Sequence, residues 1–225
     1  DMMQAVILAA GRGSRMGYLT KNTPKSLIQV LNKPLIDYVL EALPDEVDEY
    51  IIVIGYLGFQ ISSYVGSQYK GRRIHYVEQR CLGTAGGLFS ARSLLWDRFL
   101  VVNADDIYNQ QELELLISDN ATYGIVCRDD KDKNPETVIF NDDDLLIGRI
   151  NVILDKPRWF GAGAYMLHKD IWLEKFHQLP NGEYSIPHKL IKAFFPVYVK
   201  KFSKWIPVNT PREIVVAESK LLKRF

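Results

Sequence analysis

The chain has 225 residues, 47% hydrophobic and 24% charged, a balance that excludes a disordered or fibrous protein and suits a water-soluble globular one. Its 28 lysines and arginines nearly cancel 27 aspartates and glutamates, so bulk charge does not suit nucleic acid and any polyanion must be held by a local cluster. No apolar run approaches the ~20 residues that span a membrane, no basic stretch leads into a long apolar one at the start, and Cys81 and Cys127 match no metal-ligand spacing. The expectation is a cytoplasmic protein with free thiols and no membrane partner.

In chain order, residues 5–8 are a short apolar run without alternation, the pattern of a strand buried on both faces. It runs into GRGSRM (11–16), which places two glycines and two arginines at the strand's exit. Residues 34–43 put Leu35, Ile36, Val39, Leu40 and Leu43 on one helical stripe, with Pro34 near its start. YIIVIG (50–55) predicts a second buried strand, 58–67 an amphipathic stretch, and RIHYVE (73–78) a third strand. GTAGGLFSARSLL (83–95) predicts a helix with a small-residue N-terminus, and FLVVNADD (99–106) a fourth strand ending in acid. Strands separated by helices imply a parallel sheet covered on both faces.

The second half is less regular. It predicts a strand at 122–127, a solvated loop at 129–135, a hairpin over 137–154 turning at 141–144, and a strand at 160–167. Helices are expected at 169–178 and 186–195, then a strand at 197–202. Thr210 and Glu213 form a capping-box pattern with Pro211 at the first helical position, so a C-terminal helix follows. The expectation is one α/β domain over 1–225, with a parallel half followed by a more antiparallel half.

A strand that exits into glycines brings bare backbone N–H groups to a point where phosphate oxygens bind. The dinucleotide fingerprint would need a third glycine where Met16 stands, and the Walker pattern its Gly-Lys-Ser/Thr; neither is present. The loop carries its own cations instead, Arg12 and Arg15, with Lys25 in TPKSL just downstream. Cations and bare amides together suit several phosphates at once. Taken alone, the same residues also describe a tight turn with solvated arginines.

Five motifs in order, LAAGRGSRM, TPKSL, LGTAGGL, NADD and WIPVNTP, resemble the sugar-1-phosphate nucleotidylyltransferase family, of the mannose-1-phosphate guanylyltransferase and glucose-1-phosphate thymidylyltransferase type. The resemblance runs from residue 4 to about 218 and is thin over 109–160. It implies a Rossmann-like mixed, mostly parallel sheet flanked by helices, the nucleotide-diphospho-sugar transferase type. Residues 1–108 would be the nucleotide-binding half and 109–225 the sugar-phosphate-binding half. It implies transfer of a nucleotidyl group from a nucleoside triphosphate to a sugar 1-phosphate, with Mg²⁺ as cofactor and a homo-oligomer among the arrangements open to it.

Carried over residue by residue, the resemblance gives catalytic roles to Arg15, Lys25 and Asp105. It gives nucleotide contacts to Ala10, Gly11, Arg12, Gly13, Glu78, Gln79, Gly83 and Thr84. Metal ligands would be Asp105 and Asn209, and sugar-phosphate contacts Lys156, Gly163 and Glu183. Asp106, next along, would point to the other face of an extended chain. Plainer readings stand beside these: the acid pair capping a turn, Asn209 as turn chemistry before a capped helix, Lys156 as a solvated lysine before a proline, and 78–84 as helix-start packing. Two rival functions also stay open. GYLGFQI (55–61) and PKSL suit a cytidylyltransferase for choline or polyol phosphate, and Asn209 in place of an acid suits a nucleotide-binding regulatory subunit without catalysis.

Overall fold

The computed structural model describes residues 2–128, 136–151 and 158–223. The first half holds β1 (Met3–Leu8), the small hairpin β2 (Gln29–Val30) and β3 (Lys33–Pro34), α1 (Leu35–Ala42), β4 (Val47–Ile54), α2 (Gly58–Val65), β5 (Gln68–Tyr69), β6 (Arg72–Glu78), α3 (Thr84–Ala91) and β7 (Arg98–Asn103). Then come β8 (Asp106–Ile107), α4 (Gln110–Leu116), β9 (Thr122–Arg128), β10 (Glu136–Phe140), β11 (Leu146–Asn151), β12 (Arg158–His168), α5 (Ile186–Ile191), β13 (Tyr198–Phe202), β14 (Ile206–Pro207) and α6 (Pro211–Leu222).

Eight strands form one sheet in the order β13-β9-β12-β7-β1-β4-β6-β5. The four strands β7, β1, β4 and β6 are parallel neighbours, as the alternation of strand and helix predicts. The expected antiparallel half is narrower than its pattern suggests. β12 runs antiparallel to both β7 and β9, yet β13 pairs parallel with β9. The family-type fold, a mixed and mostly parallel sheet with helices packed against it, is what the chain adopts.

Alternation along the strands separates two cores. Ala5, Ile7, Tyr50 and Ile52 face Ile36, Val39 and Leu40 of α1 and Leu113 of α4. Val6, Ile51 and Val53 face Leu88 and Ala91 of α3. Burying a Leu, Ile or Val fully stabilises by about 1.5–3 kcal/mol, so continuous apolar strands are stable only with this double cover. A third, smaller core joins Met16, Val30 and Leu35 to Ile107, Val208 and Ala217. Met16, which stands where a dinucleotide fingerprint needs glycine, is fully buried there. It anchors the opening loop against the C-terminal segment.

The larger elements differ from expectation at four places. The fourth strand stops at Asn103, Ala104 and Asp105 turn, and Asp106 starts a separate short strand paired with β14. The helix expected at 169–178 is a 3₁₀ turn, Lys169–Trp172, followed by irregular chain. There Trp172 and Phe176 leave the helical stripe to pack on Phe89 at ring-centroid distances of 5.5 and 5.0 Å. The helix expected to reach 195 ends at Ile191. Helix α4 was unforeseen, although Asn109 caps it by accepting from the Glu112 N–H. The hairpin of β10 and β11 turns where expected, with the Asn141 carboxamide accepting from Asp143 N–H and Leu145 N–H. The loop at 129–135 and the hairpin's end at 152–154 lie outside the described residues. Among the described residues no helix is long and apolar enough to cross a membrane.

Candidate active site

Parallel strands end together, and their carboxyl ends open onto a shared crevice. Here Leu8, Gly55, Gln79 and Asn103, at or just past the ends of β1, β4, β6 and β7, line one cleft of about 1210 Å³. The opening loop forms its first wall. Gly11 has no atom within 4 Å of where a side chain would begin, so its backbone stands open to the cleft. Gly13 is required twice over. Its φ of +64° belongs to the left-handed region, and a Cβ there would press on the Lys25 stem at 2.9 Å. The Gly13 carbonyl accepts from Met16 N–H at 2.8 Å and from the Thr20 hydroxyl at 3.0 Å, which holds the loop in shape. Arg12 lies over the Tyr56 ring, 5.3 Å from its centroid, a cation–π arrangement.

Four residues from distant parts of the chain meet at the floor of this wall. Lys25 Nζ donates to Asn209 Oδ1 at 2.8 Å and forms an ion pair with Asp105 Oδ2. Arg15 Nη2 donates to the same Asn209 oxygen at 3.0 Å. The cap of α6 fixes Asn209. Thr210 Oγ1 accepts from Glu213 N–H as the capping pattern predicts, but the Glu213 carboxylate reaches past Thr210 and accepts from Asn209 N–H at 2.6 Å.

Asp106 does not point away from the cleft, because the backbone before it turns instead of continuing extended. It is buried, and accepts at Oδ2 from Asn103 Nδ2 and from the Tyr108 hydroxyl, both at 3.3 Å. Burial first, and the Asp105 charge second, push its carboxyl up to about 8, against the opposing pull of Lys25. Burial likewise raises the Tyr108 phenol, whose hydroxyl lies 3.1 Å from Ala162 O and 3.2 Å from Gly163 O. These contacts tie the exit of β7 to β12.

The second wall is built from glycines and backbone bonds. Gly163 has φ +65°, and a Cβ there would overlap Asn103; a Cβ at Gly161 would overlap the Tyr123 hydroxyl. The glycines of FGAGAY therefore admit protein groups, Asn103 and Tyr123, over their backbone. Opposite, Gln79 Nε2 donates to Cys81 O at 2.6 Å and to Gly83 O at 3.1 Å, which shapes the loop before α3. That loop is stitched to the segment carrying Glu183. Tyr184 N–H donates to Leu82 O at 2.9 Å, Ala85 N–H to Tyr184 O at 3.0 Å, and Ile186 N–H to Thr84 Oγ1 at 3.0 Å.

Of the residues singled out from sequence, Ala10, Gly11, Arg12, Arg15, Gln79, Gly83, Thr84, Asp105, Gly163, Glu183 and Asn209 line the cleft. Gly13 and Lys25 stand directly behind them. Glu78 is exposed, does not line the cleft and is not brought to the site, because alternation along β6 presents Gln79 instead. Lys156 lies outside the described residues. Tyr56, Arg80, Asn103, Tyr123, Tyr165 and His188 also line the cleft, beyond the residues that the sequence analysis names. Asn103 had a usable signal, since it opens the NADD motif at a strand's carboxyl end. Tyr123 and His188 arrive only through folding.

The donor chemistry suits a hard divalent cation. The Asp105 carboxylate and the Asn209 carboxamide oxygen both reach one cationic atom, Lys25 Nζ, so two oxygens face a common point. Among the described residues no group of three or more His, Cys, Asp or Glu side chains forms a closed metal cluster.

The nucleotidyl transferase family model matches residues 4–206, and the chain belongs to that family. It is 30% identical over 233 residues to the bifunctional protein GlmU of Methanocaldococcus jannaschii, covering 99% of this chain and 55% of that protein. It is 27% identical over 176 residues to D-glycero-alpha-D-manno-heptose 1-phosphate guanylyltransferase of Campylobacter jejuni, covering 76% of this chain and 78% of that one. The chain thus spans about half the length of the GlmU relatives it matches. In fold it resembles a UDP-glucose pyrophosphorylase solved with UDP-glucose, at TM-score 0.82 and 18% identity over 100% of both chains. It also resembles the CTP:phosphocholine cytidylyltransferase of Streptococcus pneumoniae, at TM-score 0.73 and 23% identity, covering 98% of this chain and 100% of that one.

Proposed function

We propose that the chain transfers a nucleotidyl group from a nucleoside triphosphate to a sugar 1-phosphate. An oxygen of the sugar phosphate attacks the α-phosphorus, the bond from that phosphorus to the β-phosphate oxygen breaks, and pyrophosphate leaves with the electron pair. The observation that carries this reading is the meeting of Arg15, Lys25, Asp105 and Asn209 at the floor of a cleft also lined by Gly11 and Arg12. A phosphate monoester has a second pKa of about 6 and is already an oxyanion at neutral pH, so the site needs no general base. Catalysis then rests on placing two anions in line and neutralising their charge.

In this reading the backbone at Gly11 and the guanidiniums of Arg12 and Arg15 hold the triphosphate. Lys25 donates to phosphate oxygens with its ammonium, which has three protons to give. A Mg²⁺ ion held by Asp105 and Asn209 would supply neutralisation of the triphosphate charge. The loop of Gln79, Gly83 and Thr84 faces the base, and the wall of Gly163 and Glu183 faces the sugar. Lys156 remains the proposed partner of the sugar phosphate.

The test is pyrophosphate release with Mg²⁺ from four triphosphates, each offered several sugar 1-phosphates, choline phosphate and a polyol phosphate. Release with a sugar 1-phosphate is expected. Release with choline or polyol phosphate alone would move the chain to the cytidylyltransferase reading. No release with any pair would leave a nucleotide-binding subunit.

A further inference from the structure

Lys25 does two things that a phosphate-binding lysine does not need to do. Its side chain is nearly buried, and its stem lies against the space left by the missing Cβ of Gly13, so its head is aimed and not free to sweep. Its ammonium sits between the Asp105 carboxylate and Asn209 Oδ1, the same two oxygens that suit a divalent ion. An ammonium is a compact point charge, and two cations cannot occupy one gap between two oxygens. We propose that Lys25 is an internal stand-in for the metal: it holds Asp105 and Asn209 together in the nucleotide-free protein and competes with the divalent ion for them. A triphosphate relieves the competition, because its oxygens give the ammonium another partner. Metal and triphosphate therefore enter together, and the protein alone binds metal weakly.

Arg15 shares the Asn209 oxygen but makes no contact with Asp105 among the bonds described, so its hold on the gap is partial. Arg12 lies in the same cleft, over Tyr56, and touches neither oxygen. That difference separates a stand-in cation from a general effect of nearby positive charge. A merely structural lysine differs in sign: removing it would loosen Asp105 and Asn209 and weaken metal binding.

This inference rests on the metal assignment made for the proposed function, but the two fail separately: absence of pyrophosphate release strikes the function, and metal affinity without nucleotide strikes the stand-in. The experiment measures Mn²⁺ binding by electron paramagnetic resonance to the full chain in the absence of nucleotide. Lys25→Met is expected to bind Mn²⁺ about tenfold or more tightly than wild type, the scale of one charge-assisted contact. Arg12→Met is expected to stay within about twofold of wild type on the same scale, since it removes no such contact. Equal or weaker Mn²⁺ binding by Lys25→Met overturns the proposal, as does equal tightening by Arg12→Met or no binding to either variant. Lys25→Gln, which keeps a polar head without charge, carries the same test if Lys25→Met does not fold.

Discussion

The two walls of the cleft are held by different kinds of contact. Among the described residues lining it, the three arginines, Arg12, Arg15 and Arg80, all come from the first half of the chain. Arg15, with Lys25 behind the wall, is held by bonds to Asn209, and Lys25 pairs with Asp105 as well. Across the cleft, Gly161 and Gly163 fit around Tyr123 and Asn103, and backbone bonds join Leu82 and Ala85 to Tyr184. Ion pairs can be exchanged for phosphate oxygens when a substrate arrives. Backbone bonds and close-packed glycines cannot be exchanged without unmaking the wall. The comparison assigns recognition and charge neutralisation to the first wall and fixed shape to the second. Damage to the first should cost rate, and damage to the second should cost stability and acceptor binding.

The largest effect is expected at Asp105. Asp105→Asn keeps the size and removes the charge, and should lower turnover by about 10²–10³, the range for deleting one electrostatic group at a reacting centre. Its circular dichroism should match wild type, and EDTA should remove wild-type activity. A near-normal rate at saturating Mg²⁺ would detach Asp105 from the chemistry.

Next come Arg15→Ala and Lys25→Ala. Each deletes a charge-assisted bond of about 1.5–3 kcal/mol, which is about 10–100-fold in kcat/KM for the triphosphate. Because both donate to Asn209 Oδ1, the double variant should lose less than the product of the two. Strict additivity in steady-state kinetics would show that the two cations act apart.

The second wall should answer differently. Gly163→Ala must adopt φ +65° and overlap Asn103, and is expected to lower the urea unfolding free energy by about 1–3 kcal/mol. Asn103→Ala should remove part of that cost in the double variant by vacating the space. An undisturbed unfolding midpoint for Gly163→Ala would mean that the wall yields.

The smallest expected effect belongs to the stitch within the second wall. Thr84→Val leaves the Ile186 N–H without its 3.0 Å acceptor, at a cost of about 1 kcal/mol. The Michaelis constant for the sugar phosphate should rise about threefold to fivefold on that scale, with a smaller change for the triphosphate, and Thr84→Ser should restore it. A change confined to the triphosphate would place Thr84 with the first wall alone.

Much of the first wall could be read directly. Arg12, Arg15 and Lys25 lie within fifteen residues of one another around a glycine-rich exit, and the uninterrupted apolar run of β1 marks a strand covered on both faces. The second wall could not be read so far. Its sheet partners alternate in direction, and residues 169–178, which lead into its Glu183 segment, keep a helical pattern that the aromatic contacts of Trp172 and Phe176 override. Glu78 and Gln79 both lie just upstream of LGTAGGL, and nothing local chooses between them, while one step along a strand turns a side chain to the opposite face.

The sequence by itself determined the parallel strands β7, β1, β4 and β6, the exit loop after β1, the cap at Thr210 and the order of the motifs. Each of these is set by periodicity or by neighbours within a few residues. Only the tertiary structure decided that Asn209 meets Lys25 across 184 positions and Arg15 across 194. It also decided that Met16 seals the loop against Val208 and Ala217, and that Gly163 makes room for Asn103. Contacts at such separations depend on crossovers and shared burial, and no local pattern of residues encodes where a distant segment returns.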